Sequence, residues 1–211
     1  MNNNDIFIHK NYELLNPFQL QIVQLFALSA EEMHLNQAYN MMSRLRLRPE
    51  HSALSAQTLE INLLELLNRQ LLLPKEKSKF LINPIIENRA VRDLYDSNTF
   101  ENYTRVLNQF FPLDTYSYWQ RSPLKRYYAN IRIALLRNNT ALVNALIRSG
   151  QAKHENFDMN KAYSILFNPF NEKWLLKLSD SLLHSLFIGA LKELQEAFIL
   201  NAAFFDFIEK Y

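Results

Sequence analysis

The stretch Ser55–Asn83, SAQTLEINLLELLNRQLLLPKEKSKFLIN, decides how the chain reads. Ser55 is a helix N-cap residue by type. Leu59, Leu63, Leu66 and Leu67 recur at the spacing of one helical face, which predicts a helix from Ser55 through Gln70. Leu71-Leu72-Leu73 and Phe80-Leu81-Ile82-Asn83 then flank Pro74-Lys75-Glu76-Lys77-Ser78-Lys79. Two short apolar runs around a charged turn predict a small hairpin with lysines at its tip.

Working outward, Asn16-Pro17 opens an earlier helix, with Asn16 as cap and Pro17 at the first helical position, where its missing N–H is not needed. Leu20, Ile22, Val23, Leu25 and Phe26 supply its apolar face. A second helix is predicted over Leu35–Leu45. Arg48-Pro49 ends that region, because a residue before proline avoids helical geometry. Pro84 opens another helix through Ile85, Ile86, Val91, Leu94 and Tyr95. Helix, helix, helix, hairpin, helix is an order that resembles a winged-helix domain, here assigned to residues 10–97. Many unrelated proteins use that fold, so it assigns no function alone.

From residue 98 to 211 the pattern is helical throughout. Phe100–Phe110 is one predicted helix, stopped by Pro112, and Ser122-Pro123 starts another through Arg137. The run Ile131–Ile147 reads as two antiparallel helices around Asn138-Asn139, with Gly150 closing the second as a C-terminal glycine. Small Ala134 beside Leu135 and Leu136 resembles the close helix contact of tetratricopeptide-like repeats, without a clean period. Further helices are predicted over Asn156–Phe167, Asn171–Leu183, Leu186–Leu200 and Ala202–Tyr211. The expected fold is therefore mainly α: a winged helix-turn-helix with a small β-hairpin, then an α-helical repeat-like array.

Composition narrows the function classes. Only two glycines, Gly150 and Gly189, occur in 211 residues, where ordinary usage gives about fifteen. Phosphate loops and oxyanion nests depend on glycine's positive φ, so a nucleotide loop is not expected. No nucleophile motif, P-loop or kinase signature is present. The five histidines are scattered, and Glu31-Glu32-Met33-His34 lacks the paired histidines of a zinc motif. We expect no enzyme activity, no cofactor, no metal and no small-molecule substrate. With no cysteine, no signal-peptide pattern and no apolar run near 18 residues, a cytoplasmic chain without a membrane association is expected.

The formal charge of +2 is near neutral, so only local clusters of cations carry a signal. One is Arg44, Arg46 and Arg48; another is Lys75, Lys77 and Lys79. A third is the stretch from Thr115 to His154, which holds Arg121, Lys125, Arg126, Arg132, Arg137, Arg148 and Lys153 but no Asp or Glu. Tyr116, Tyr118, Trp119, Tyr127 and Tyr128 interleave with its first part. Cations neutralise phosphates and aromatic faces stack on bases. The alternative account of the same stretch is a solvated face opposite the acidic Glu193, Glu196, Asp206 and Glu209, a structural or intramolecular pairing.

On the Ser55–Gln70 helix, Gln57, Thr58, Glu60, Asn62, Glu65, Asn68 and Arg69 are expected to point outward. Thr58, Asn62 and Arg69 are candidate contacts to DNA, asparagine suiting adenine and arginine guanine. Glu60 and Glu65 oppose such readout, so backbone contact through the hairpin lysines is the stronger expectation. Arg121, Lys125, Arg126, Tyr127 and Arg132 would extend the track.

The leucine-rich helix and hairpin of Leu63–Ile82, followed by the helix pair of Ile131–Ile147, resembles the leading region of large bacterial Swi/Snf-type helicases. That resemblance implies motor domains beyond Tyr211 and a nucleic-acid-associated role, with no ATP-binding residue in this chain. The alternative is a protein-interaction adaptor, including a bacterial effector aimed at a host protein. Its groove would be lined by Trp174, Phe187, Phe204 and Phe205. The apolar phrase Phe204-Phe205-Asp206-Phe207-Ile208 calls for cover from a longer parent chain, a partner or the preceding helix.

Overall fold

A computed structural model describes residues 3–113, 123–167 and 172–184. It is mainly helical with one small antiparallel sheet, and it divides into compact units at Met1–Leu113 and Asp114–Tyr211.

The first unit runs α1 (Asn3–Glu13), α2 (Pro17–Ser29), β1 (Met33–His34), α3 (Leu35–Leu45), α4 (Ala56–Asn68), β2 (Leu72–Lys75), β3 (Lys79–Ile82), α5 (Pro84–Tyr95) and α6 (Phe100–Phe110). Local chemistry sets the helix starts. Asn16 accepts from the Gln19 N–H at 2.9 Å, Ser55 from Thr58 at 3.0 Å and Asn83 from Ile85 at 3.0 Å. Each satisfies an amide that the first helical turn leaves without a partner. At α3 the Gln37 side chain instead reaches back to accept from the His34 N–H at 3.1 Å.

α2 forms the centre of this unit. The sequence predicts one apolar face, yet every residue from Ile22 to Ser29 is buried, because α5, α6 and β3 all pack on it. A helix apolar on nearly all sides is what such a position requires. The sheet order is β1-β3-β2, with Met33 opposite Phe80 and Leu73 opposite Leu81. Its outer strand β2 carries Pro74, which has no N–H to offer, as edge strands tolerate.

Three features of this unit differ from the sequence reading. β1 is a strand between α2 and α3, where the sequence reading placed two helices in succession with no strand between them. Ala30 turns the chain at φ 51°, Glu31 is buried, and Glu32 stands 3.9 Å from Lys79 on β3. α6 packs on α3 and α2 through Phe100, Tyr103, Val106 and Leu107, so the compact units divide after Leu113 and not near residue 98.

The third is α1, which the sequence did not announce. Its buried residues are only Ile8 and Tyr12, one turn apart. It is pinned to α5 by polar contacts: the Tyr12 hydroxyl donates to Asp93 at 2.8 Å, and Arg89 lies 5.0 Å over the Tyr12 ring. Burial, then the Asp93 charge, raises the Tyr12 hydroxyl pKa. Arg89 also meets Glu13 at 3.1 Å and His9 Nδ1 at 3.3 Å. Burial first, and Arg89 second, lower the His9 pKa from its ordinary 6.5, against the opposing pull of Asp5 and Glu13. A depressed histidine pKa means the unfolded chain takes up the proton first on acidification. This contribution is therefore complete above about 6.5 and is lost as the pH falls below it. Thermal unfolding of the wild type and His9→Gln between pH 7 and 5 should show the shallower pH slope in the variant. Equal slopes would refute the assignment.

The second unit contains α7 (Leu124–Leu136), α8 (Thr140–Lys153), α9 (Met159–Phe167) and α10 (Glu172–Leu175). α7 and α8 pack as an antiparallel pair joined by Arg137–Asn139, with Asn138 at φ 54° and Asn139 capping α8 by accepting from Leu142 N–H at 3.0 Å. Gly150 does not end α8: the helix continues to Lys153 and Gly150 has no positive φ. A Cβ there would overlap the Phe157 ring, which lies 5.4 Å from that of Tyr128. Close approach, not a left-handed cap, accounts for this glycine.

Candidate nucleic-acid interface

The outward face of α4 is built from Gln57, Glu60, Ile61, Leu64 and Asn68. Ile61 is 58% exposed and Leu64 50%, two apolar positions the sequence reading did not place outside. Thr58 and Asn62 are half-buried at a cleft of about 380 Å³ that also involves Pro17, Pro49 and Glu50. Their polar groups have local work. Thr58 Oγ1 lies 2.7 Å from Ser55 Oγ, and Asn62 donates to the Thr58 carbonyl at 2.8 Å. Arg69 donates to Glu65 at 2.6 Å and to the Leu14 carbonyl at 3.3 Å, while Gln19 holds the other Glu65 oxygen at 2.8 Å. Arg69 is thus tied down in an ion pair, and the exposed residues of this helix include no cation.

The β2–β3 hairpin carries its cations differently. Lys75 and Lys77 are exposed, and Lys75 sits directly opposite Lys79 in the strand register. Like charges opposite one another destabilise a hairpin unless a counter-charge is near. Lys79 has Glu32 at 3.9 Å; Glu76 lies within the tip itself. The tip is also held in an unusual backbone form, with Lys77 at φ 57° and Ser78 at φ 56°.

In the second unit the basic stretch separates by burial. Arg132 is 4% exposed and Tyr127 is fully buried, its hydroxyl 3.3 Å from Ser149 and its ring edge-on to His154 at 5.4 Å. Neither presents a surface to a phosphate or a base. Tyr127 faces α8, which packs on α7, and Arg132 is buried on the same helix. Lys125 and Arg126 are half-buried, and each already has an interaction of its own. Arg137 and Arg148 are exposed. Arg121, Phe187, Phe204, Phe205 and the Trp174 side chain lie outside the described residues.

The sequence reading missed what stands beside Arg44 and Arg46. α3 and α6 pack together, and between them is a cleft of about 580 Å³ lined by Arg44, Arg46, Asn102, Arg105 and Gln109, with Leu45 and Val106 behind. Arg44 donates to Gln109 Oε1 at 3.0 Å and lies 5.2 Å over the Phe110 ring; Arg105 donates to Asn102 Oδ1 at 2.7 Å. The lining residues include no Asp or Glu. Only the Arg44-Leu45-Arg46 alternation hinted at it, and that could not name a partner on α6. Among the described residues no group of three or more His, Asp or Glu could hold a metal ion, and no helix is long and apolar enough to cross a membrane.

Compared with known proteins, the chain matches no family model, and no curated protein or solved structure is significantly similar to it.

Proposed function

We propose that the chain is a non-catalytic, nucleic-acid-associated accessory module whose first unit is a winged helix that holds the phosphate backbone without reading sequence. The observation that carries this reading is the hairpin: Lys75, Lys77 and Lys79 gather at one turn, two of them facing in register. A phosphate backbone would add counter-charge at Lys75 and Lys77, beyond the Glu32 carboxylate that stands near Lys79. The order helix, strand, helix, helix, hairpin, with the first strand pairing to β3, supports the winged-helix assignment. The acidic and apolar face of α4, with Arg69 engaged by Glu65, argues against base readout. A place at the front of a larger cytoplasmic helicase or regulator is consistent with such a module.

The test is fluorescence anisotropy on labelled duplex and single-stranded DNA with salt raised from about 50 to 200 mM. We expect micromolar binding that weakens steeply with salt. Lys75/Lys77/Lys79→Glu should abolish it or lower the log–log salt slope by roughly 2–3. Absence of binding at low salt would reject the reading.

A second reading, a protein-interaction adaptor, is favoured by one observation. Ile61 and Leu64 stand exposed one turn apart on α4, beside Glu60. Exposed apolar pairs on a helix suit a protein partner better than a phosphate backbone.

A further inference from the structure

We infer that the cleft between α3 and α6 is a second phosphate-binding site, one that takes clustered phosphate groups on Arg44, Arg46 and Arg105. The inference rests on the nucleic-acid reading above for the source of those phosphates, a polynucleotide backbone. Its own support is independent of the hairpin.

Arginine is the side chain that meets phosphate oxygens in pairs, through a rigid planar fork of five N–H donors. Three such forks converge on one cleft of about 580 Å³, room for more than one phosphate. Two of them are held in place by neutral oxygens, Gln109 Oε1 for Arg44 and Asn102 Oδ1 for Arg105. Carboxamides orient a guanidinium without neutralising it, whereas the carboxylate of Glu65 does both to Arg69. The Phe110 ring under Arg44 fixes that guanidinium further. Preorganised cations of full charge are what an anion site needs.

Arg46 adds a separate indication. It occupies the position just after α3 at φ 57°, ψ 31°, where glycine is the favoured residue. An arginine there accepts backbone strain, and its side chain lines the cleft.

The strain supplies a test that separates binding from folding. Arg46→Gly relieves the left-handed strain, so its melting temperature should equal or exceed that of the wild type. Its affinity for DNA should fall about ten-fold, and that of Arg46→Gly/Arg105→Gln further, measured by anisotropy at fixed low salt. Isothermal titration with inorganic pyrophosphate forms the second arm, with the same variants expected to lose its heat of binding.

Loss of DNA binding in the cleft variants, with stability kept, supports the inference. DNA binding unchanged in them but lost in Lys75/Lys77/Lys79→Glu overturns it and leaves the proposed function standing. Pyrophosphate binding that depends on Arg46 and Arg105, with no DNA binding by any form, keeps the site but rejects the polynucleotide as its source. No binding of either probe overturns both.

Discussion

Phe26→Ala is expected to remove about 3–5 kcal/mol of stability, the range for deleting a fully buried aromatic side chain. Phe26 has no exposed surface and lies on α2, where α5, α6 and β3 all pack. With elements on several sides, few neighbours can relax into the space left, so the cavity term stays near its upper range. A domain of this size is stable by only about 5–15 kcal/mol. The substitution therefore consumes a large share of what holds the first unit together. Urea unfolding should show a large drop in midpoint with little change in slope. A loss under about 1 kcal/mol would contradict the central position of α2.

The second large effect reverses a general rule. Glycine to alanine within a helix ordinarily stabilises by about 0.8–1 kcal/mol. Gly150→Ala in α8 is expected to destabilise by about 1–3 kcal/mol, because the added methyl overlaps the Phe157 ring. That ring cannot simply swing aside, since it leans on Tyr128, whose hydroxyl accepts from the Asp158 N–H at 2.7 Å. The Gly150→Ala/Phe157→Ala double variant should therefore be more stable than the two single losses sum to. A Gly150→Ala protein that melts higher than the wild type would mean that Phe157 yields freely.

What the sequence revealed was what neighbouring residues decide. Asn16-Pro17, Ser55 and Asn83-Pro84 are caps whose chemistry is local, and α2, α4 and α5 start there. The α3 helix and the hairpin followed from spacing and turn residues within a few positions. Features that depend on distant residues were not legible. β1 has two residues and exists only because β3 pairs with it. α1 has no apolar stripe and is held by Asp93 and Arg89, far along the chain.

The candidate site divides in the same way. The hairpin lysines were visible as a cluster because turn and charge coincide in sequence. Tyr127 and Arg132 were read as surface from residue type, but the burial of α7 on two sides overrode type. Arg105, Asn102 and Gln109 carried no signal, since only the packing of α6 on α3 brings them to Arg44 and Arg46.

The scarcity of glycine has a further consequence. Among the described residues, Ala30, Arg46, Gln70, Lys77, Ser78 and Asn138 all sit at positive φ, and none is a glycine. A left-handed conformation costs an ordinary residue roughly 1–2 kcal/mol. Together those corners hold a tension comparable with the whole margin by which a small domain stays folded. They mark where an engineer seeking a hardier version of this protein has room to work, since three of them, Ala30, Gln70 and Asn138, belong neither to the arginine cleft nor to the lysine hairpin.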